Sequence, residues 1–447
     1  MNRAMPSGRR GILMYSRALS LVCFRFFFCI LFTTVPVSAT TLPESVNMAL
    51  ASHPEMLIER LEQDIQGSVL AQVEAAFLPK IALSLGIGRE DSNNASTRAR
   101  IGGSEEMERR ESAVTVQQML FDGFDSHWQQ QGQEAEIEAA KFELVHAAAS
   151  LALKTIDAHL SLVKARKLYE FNRGSFDAHE KISESIKARV KSGKDDRAKV
   201  AQVDARLALA MANLETARTA RLQAEVAYKK LVGKQPGAKL QSATKVDLPE
   251  SWEEVRDRLA LNNPLLAAKR SHKEAAEKRQ KASDSDYMPS LYFESGASWN
   301  DNLDGVAGRN SDAFAMFRLR YDLYQGGAMP ASRKQAGFAR KKAELQLDSA
   351  LLDVETEAEL AWLSYHSLAK RVVFLERYIE SALQTRESYQ KQFNIGQRSL
   401  IDLLDAESEL LQAREQWLDT QVQYRLSAFK LSRMMGTLLT SLTVNLR

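Results

Sequence analysis

The amino-acid sequence predicts a mainly α-helical chain that also carries β-strands of membrane-crossing length, arranged as one half-unit repeated twice. Three observations lead to this fold class. Prolines and glycines recur at matching distances in the two halves of the 447 residues. Proline is absent over 80–235 and 331–447, which permits long helices because an interior proline costs a helix about 3 kcal/mol. Four short segments alternate apolar with small or polar residues, which is the period of a strand.

The first 39 residues are expected to be a signal peptide that is removed on export. A basic start precedes an apolar run over 26–37, and residues 37–39 (VSA) have the small-x-small pattern of a cleavage site. Both cysteines of the chain, Cys23 and Cys29, lie in this segment. Cleavage removes five arginines and no acidic residue, so the net charge changes from +3 to −2. An uncleaved anchor helix is the alternative.

Composition excludes several classes of protein. With 60 basic and 57 acidic residues, the chain lacks the basic excess of a nucleic-acid-binding surface. A mature chain without cysteine has no disulfides and no thiolate metal sites. The histidines are scattered without metal-ligand spacing, and no nucleotide-binding or nucleophile motif occurs. We therefore expect no enzyme and no cofactor, and the energy for any transport must come from a partner.

The internal repeat sets the domain boundaries. Pro54 and Pro79 are 25 residues apart, as are Pro264 and Pro289. Glycines follow the same rule, since two pairs are each separated by 70 residues: Gly123 with Gly193, and Gly326 with Gly396. Two such long units indicate a duplicated domain rather than a solenoid. We expect a first repeat over 40–233, a linker over 234–249 and a second repeat over 250–447.

Each repeat begins with a predicted helical stretch, about 43–78 and 250–286, and continues into a pair of strands. The strand pairs are expected within 80–122 and 290–324, around polar loops at roughly 89–111 and 300–312. Each alternating run has about ten residues, and a tilted strand needs about 9–11 residues to cross a bilayer. Two amphipathic hairpins packed on a soluble core are the alternative.

Long helices follow the strands in both repeats. The 70 residues from Gly123 to Gly193 would span roughly 100 Å as one helix. Leucines and aromatic residues recur every seven residues in the last helix, which favours side-by-side packing of antiparallel helices. These residues are Leu403, Leu410, Trp417, Tyr424 and Leu431, and in the first repeat Val200, Leu207 and Leu214. A solitary coiled coil is the alternative, but it leaves the strand pairs unexplained.

Four strands are too few to cross a membrane alone. The smallest membrane barrels have about eight strands, and an open sheet in lipid leaves edge N–H and C=O groups unpaired at a cost of several kcal/mol each. Membrane insertion therefore requires several chains to share one barrel. Three copies would supply twelve strands, and the attached helices would form a second, helical barrel. This geometry is a hollow conduit.

The duplicated pattern closely resembles the TolC-type outer membrane channel proteins of efflux pumps and type I secretion systems, over residues 42–438. The most specific piece is 396–406 (GQRSLIDLLDA), and the segments that end in Gly123 and in Gly326-Gly327 resemble the family's strand-to-helix junctions. The resemblance implies a homotrimer with a twelve-stranded barrel in the outer membrane and a long periplasmic helical tunnel. It also implies docking to a periplasmic adaptor and to an ABC or other inner-membrane transporter.

The resemblance also implies a periplasmic gate. Asp402 and Asp405 match the family's constriction aspartates, and Arg398 matches an arginine that latches the closed end. Carboxylates three residues apart lie on one helical face, and in a trimer they would form two acidic rings that attract cations. A solvated helix face is the alternative. The adaptor-docking turns are expected at Gly193 and at Gly396, together with Ser399 and Leu400.

Two residues depart from the family's gate. Phe393 stands where the family can have a tyrosine, and its side chain cannot form a hydrogen bond. Lys199 stands where an acidic residue is expected in the first repeat. We therefore expect the contacts that hold the helices together at the closed end to involve different residue pairs in this chain.

The leading hypothesis is the exit duct of a type I secretion system for a protein such as an adhesin or toxin. The missing lipoprotein signal and the short tail after Gly436 favour this branch. A channel for small-molecule efflux is the alternative. A periplasmic coiled-coil structural or adaptor protein is the alternative from another class.

Overall fold

The computed structural model describes residues 40–241 and 246–444. The predicted signal peptide lies outside the described residues. The strands are β1 (Thr40–Thr41), β2 (Lys80–Ser92), β3 (Glu105–Phe121), β4 (Leu240–Gln241), β5 (Ser290–Asp301) and β6 (Arg309–Arg320). The helices are α1 (Leu42–Ser52), α2 (Pro54–Glu74), α3 (Ala95–Ile101), α4 (Asp125–Lys191), α5 (Arg197–Val232), α6 (Trp252–Asn262), α7 (Pro264–Ala282), α8 (Ala328–Asn394), α9 (Leu400–Met434) and α10 (Leu438–Ser441).

The order of elements is duplicated, as the prolines and glycines predict. Two short helices, two strands, a very long helix and a second long helix follow one another twice along the chain. The longest helices, α4 and α8, both have 67 residues, which corresponds to roughly 100 Å. None of the helices in the described part of the chain is both long and apolar enough to cross a membrane. The mainly helical, duplicated fold class is confirmed.

The predicted helical stretches at the start of each repeat are each broken into two helices. Pro54 and Pro264 occupy the first positions of α2 and α7, where a proline N–H is not needed. The residue before each proline is extended and caps the new helix: the backbone N–H of Glu55 donates to His53 Nδ1, and that of Leu265 donates to the Asn263 side chain. Each helical stretch therefore consists of two helices, because proline restricts its predecessor to extended backbone.

The four long strands form one antiparallel sheet in the order β2-β3-β5-β6. β2 and β3 have 13 and 17 residues, so the first loop is shorter than predicted and contains α3. The predicted loops over 89–111 and 300–312 were too long, because polar residues at the strand ends continue the ladder: Ser92 still pairs with Glu105, and Asp301 pairs with Arg309. Charged residues do not end a strand when the backbone partners remain in register.

The segment between the repeats also forms structure. β4, within the predicted linker over 234–249, pairs in parallel with β1. Below this pair, the Ser45 hydroxyl lies 3.0 Å from His159 Nδ1 and 2.9 Å from the Tyr228 hydroxyl. Burial lowers the pKa of His159 to about 4, so its ring is neutral and serves as a hydrogen-bonding core residue.

The long helices pack side by side through the seams that the heptad pattern predicts. α4 lies against α5 and α9, and α9 lies against α8. On α9, Leu403, Leu410 and Leu431 are buried. On α5 the predicted Val200, Leu207 and Leu214 are half-buried, whereas Val203, Ala210 and Ala217 on the neighbouring seam are buried. Small side chains let the helix axes approach closely, so the neighbouring helix covers these positions more completely than the larger residues beside them.

Candidate functional site

The long helices form two hairpins, α4 with α5 and α8 with α9, and the turns that connect the helices of each hairpin have the same conformation. Gly193 and Gly396 follow α4 and α8 with φ of +70° and +78°. The N–H of Lys194 donates to the Arg189 carbonyl and that of Gln397 to the Gln392 carbonyl, both at 2.9 Å. This is the Schellman ending, which requires a left-handed residue and therefore favours glycine. The glycine repeat of the sequence thus marks two equivalent turns.

Ser399 and Leu400 have structural roles at the second turn. The Ser399 hydroxyl accepts a hydrogen bond from the Asp402 N–H at 3.2 Å and so caps α9. Leu400 is buried in a cluster that joins all four long helices at this end. Its members are Ile182, Ile186, Val203, Phe393, Leu400, Leu403 and Leu404. Leu400 therefore supports the turn from inside, while the side chain of Ile395 is 69% exposed at its tip.

The phenylalanine that departs from the family pattern is part of this core. Phe393 is buried, and the Arg189 guanidinium of the first repeat lies 5.3 Å from the centre of its ring. At Phe393 the two repeats therefore meet through a cation–π interaction and not through a hydrogen bond. Lys199, the second departure, forms an ion pair with Asp195 one turn before it.

Arg398 makes its contacts within its own hairpin. Its guanidinium lies 4.0 Å from the centre of the Tyr389 ring, and its Nε donates to Gln392 Oε1 at 3.1 Å. Arg398 Nη1 lies 3.7 Å from Asp402 Oδ2. The arginine thus bridges the end of α8 and the first turn of α9.

Asp405 is paired across the repeats. Arg206 Nη2, on α5, donates to Asp405 Oδ1 at 2.8 Å. Sequence reasoning missed this partner because 199 residues separate the two side chains and nothing in their local patterns connects them. The link between the helix pairs at this end therefore runs through Arg206 and Asp405, in addition to the Arg189–Phe393 contact.

The strand register assigns each side chain of the sheet to one of two faces. Ile81, Leu83, Leu85 and Ile87 project from one face with 67–75% exposure. Pairing aligns them through β3 and β5 with Phe317 of β6 and its neighbours. The residues of this apolar face are Ile81, Leu83, Leu85, Ile87, Val114, Val116, Leu291, Phe293, Ala297, Trp299, Ala313, Ala315, Phe317 and Leu319.

The opposite face, the polar face, carries small residues and ion pairs, together with Tyr292, Phe314 and Met316. Arg318 Nε lies 2.8 Å from Glu294 Oε2, and Arg109 Nη1 lies 3.0 Å from Glu90 Oε2. The apolar face also carries Ser112, Ser295 and Ser311 by register, but its large side chains are mostly apolar. A sheet with one mainly apolar face and one charged face suits a wall between lipid and water. Within the described chain, the outer edges of β2 and β6 have no strand partner.

The strand-to-helix junctions are tight turns that join sheet and helices. Gly123 has φ +71°, and a Cβ there would lie 2.8 Å from the Met288 Cβ of the other repeat. Only glycine fits this approach. Gly326 and Gly327 have φ of +62° and +87° but no neighbour within 4 Å, so conformation alone requires glycine there.

A charged cluster joins α4 to α7 near these junctions. His272 Nδ1 lies 2.8 Å from Glu136 Oε2, its Nε2 lies 3.0 Å from Glu143 Oε1, and Arg279 Nη1 lies 2.8 Å from Glu136 Oε1. Hydrogen bonds to Glu136 and Glu143 raise the pKa of His272 to about 9. In the described part of the chain, no cluster of His, Cys, Asp and Glu has a metal-binding arrangement.

A half-apolar sheet connected by glycine turns to 67-residue helices defines the class of outer membrane channels with a helical extension. Residues 45–234 and 255–437 match the family described as outer membrane efflux protein. The chain belongs to this family, so it is an outer membrane channel protein of tripartite export systems and not an enzyme.

Individual relatives agree. Over 418 residues the chain is 24% identical to outer membrane protein TolC of Vibrio cholerae, covering 90% of this chain and 92% of the relative. It is 23% identical to the alkaline protease secretion protein AprF of Pseudomonas aeruginosa, covering 86% and 82%. The crystal structure of the Campylobacter jejuni CmeC outer membrane channel has the same fold, with a TM-score of 0.78, 15% identity and coverage of 89% and 86%.

Proposed function

We propose that the chain is the homotrimeric exit duct of a type I secretion system and passes a protein cargo across the outer membrane. The observation that carries the proposal is the sheet, whose apolar face and unpaired edges require partner strands. Each protomer contributes four long strands, so three protomers form a twelve-stranded barrel with lipid outside and the polar face inside. A periplasmic adaptor and an inner-membrane transporter complete the pathway.

The periplasmic gate is proposed at the turns that follow α4 and α8. Asp402 and Asp405 lie on one face of α9 and, around the trimer axis, form two acidic rings. Arg206 Nη2 lies 2.8 Å from Asp405 Oδ1. In the closed gate, this arginine therefore neutralises part of the charge of the ring that Asp405 forms. Opening then separates α5 from α9, and this movement breaks the Arg206–Asp405 pair and exposes the carboxylates to the passing cargo.

The proposed cargo is a protein because of the similarity to AprF, whose name assigns it to secretion of a protease. The family description favours the second candidate, small-molecule efflux. Both functions use the same conduit, so the partner proteins decide between them.

Deletion of the gene in its host tests the cargo. We expect one or a few large proteins to disappear from the culture medium, as measured by mass spectrometry of the secreted fraction. Accumulation of fluorescent dyes should stay unchanged. Complementation with the wild-type chain is the control and should restore secretion. Normal secretion combined with increased dye accumulation would instead establish the efflux function.

A further inference from the structure

At the end of the sheet remote from the long helices, two loops are locked together. The first is the α3 loop, residues 93–104 between β2 and β3, and the second is the 302–308 loop between β5 and β6. Because the helices are periplasmic in the proposed duct, this end of the barrel faces the outside of the cell. The loops come from different repeats, yet their side chains interlock.

Three contacts connect the loops. Asn94 Nδ2 donates to the Asp304 carbonyl at 2.7 Å, and the Arg100 guanidinium donates to the Gly305 carbonyl. Thr97 is fully buried against Gly305. A Cβ on Gly305 would overlap the Thr97 methyl group and lie 2.9 Å from the Ser92 Cβ. This is closer than packed carbon atoms tolerate, so only glycine fits at position 305 between the two loops.

The 302–308 loop has a defined shape. The N–H of Asn302 donates to the Gly308 carbonyl at 2.9 Å, and the N–H of Gly308 donates back to Asn302 Oδ1 at 3.0 Å. Asn302, Asp304 and Gly305 have φ of 57°, 53° and 73°, in the left-handed region. Asn302 Nδ2 also donates to the Glu108 carbonyl at 2.8 Å, which directs the loop across the end of β3.

The contacts place the 302–308 loop on the polar face of the sheet. Glu90 and Ser92 have the same parity as the small residues Ser84 and Gly86, opposite the apolar face. Arg109 belongs to this face by register with Gly88. Its Nη1 lies 3.0 Å from Glu90 Oε2 and 3.9 Å from Asp304 Oδ1. The loop therefore leaves β5, passes over β3 and reaches β2 on the side that faces the lumen.

We propose that the α3 loop and the 302–308 loop form an extracellular lid that narrows the outer mouth of the duct. The inference rests on the trimeric barrel of the proposed function. Twelve strands about 4.8 Å apart and tilted by about 40° enclose an opening on the order of 24 Å between backbones. A layer of chain on a sheet occupies roughly 10 Å, so three lids leave little free passage. Cargo must displace them.

Access of a thiol reagent to the lumen tests the lid. Thr115 lies on the polar face and is exposed, and both native cysteines lie in the predicted signal peptide. Thr115→Cys therefore gives the mature chain one thiol below the lid. A bulky polyethylene glycol maleimide, which does not cross membranes, is added to intact cells and its labelling rate is measured. This readout does not depend on the periplasmic gate.

Gly305→Ala in the Thr115→Cys background breaks the joint and should increase the labelling rate several-fold. Gly308→Ala is the matched control, because Gly308 is also left-handed, with φ +105°, but has no neighbour within 4 Å. Its rate should stay near that of the parent. Asn94→Ala, which removes the amide donor to Asp304 without backbone strain, should give an intermediate increase. A small maleimide should label all four proteins at similar rates.

Equal labelling of the parent, Gly305→Ala and Gly308→Ala by the bulky reagent would overturn the lid. The conductance of the purified parent in planar bilayers separates this result from failure of the duct itself. If the parent conducts and labelling is uniform, only the lid proposal is contradicted. If the parent forms no pore, the proposed duct is contradicted, and the lid proposal, which depends on it, is contradicted too.

Discussion

At the residue scale, the pair of Arg206 and Asp405 changes how the acidic rings should behave. Asp402 is held by an arginine of its own hairpin, but Asp405 is held by one from the other repeat. Both pairs are partly exposed, so each ion pair contributes little to folding stability. In the proposed gate they act through the local charge of the pore, which controls attraction of cations.

Asp405→Ala and Arg206→Ala should therefore have opposite effects on block of the pore by divalent cations. Removing the carboxylate weakens cation binding, so block should become weaker. Removing Arg206 leaves the Asp405 charge without its partner, so block should become stronger and cation selectivity should rise. Single-channel recordings in planar bilayers with added Mg²⁺ measure both.

Arg218→Ala is the control for this pair, because Arg218 also lies on α5 but pairs with Glu215 of the same helix, at 3.6 Å. It should behave as wild type. If Asp402→Ala, Asp405→Ala and Arg206→Ala all conduct like the control, these residues do not form the gate.

At the scale of elements, the His272 cluster fastens a short helix to a long one. The protonated imidazole donates to two carboxylates that lie two turns apart on α4, and Arg279 adds a third bond from α7. Burial raises the pKa of Glu136, but His272 and Arg279 outweigh this and lower the pKa overall. α7 leads directly into β5, so the cluster supports the place where helix and sheet meet.

The raised pKa of His272 predicts a pH-dependent stability. A folded-state pKa of about 9 against 6.5 unfolded means that the stabilisation is complete below pH 6.5 and is lost as the pH rises through 9. The melting temperature of the purified channel should therefore fall by a few degrees over this range. In His272→Gln it should be lower at pH 6.5 and nearly constant across the range, as measured by circular dichroism.

His127→Gln provides the comparison, because His127 is exposed and its hydrogen bond to Gln131 and its ring contact with Trp128 stay within its own helix. Its melting curve should follow the wild type at every pH. A His272→Gln protein that keeps the full wild-type pH dependence would show that other groups cause it.

At the scale of the whole molecule, the two faces of the sheet make membrane insertion and assembly depend on each other. The edges of β2 and β6 find partners only when protomers associate, and the apolar face is covered only when the closed barrel enters lipid. We expect neither process to leave a stable intermediate in water. The protomer should therefore be stable only as an assembled, membrane-inserted trimer.

Leu83→Arg and Ser84→Arg test this assignment as a matched pair of neighbouring residues on opposite faces. An arginine on the lipid face costs about 2–4 kcal/mol near the bilayer midplane, so Leu83→Arg should sharply reduce the amount of detergent-extracted trimer. Ser84→Arg points into water and should assemble normally. Light scattering after size-exclusion chromatography measures the mass, expected at three protomers. Equal loss in both variants, or a monomer in both, would contradict the arrangement.

Sequence patterns alone predict the duplication, the length of the helices, the position of both helix turns and the identity of the apolar face. These features depend on local rules: proline breaks helices, glycine permits left-handed turns, and a period of two or seven residues fixes which side chains are buried. Even so, the loops between the strands were predicted to be too long. Pairing of the charged strand ends decided those boundaries.

Which side chains meet between the repeats depends on the packing of the folded chain. The partners Arg206 and Asp405, Arg189 and Phe393, and Thr97 and Gly305 lie far apart in the sequence. His272 likewise meets its carboxylates only through the packing of α7 on α4. A local pattern specifies the face of an element, but the axial position at which two elements pack specifies the contacts, and that position is set by all their side chains together.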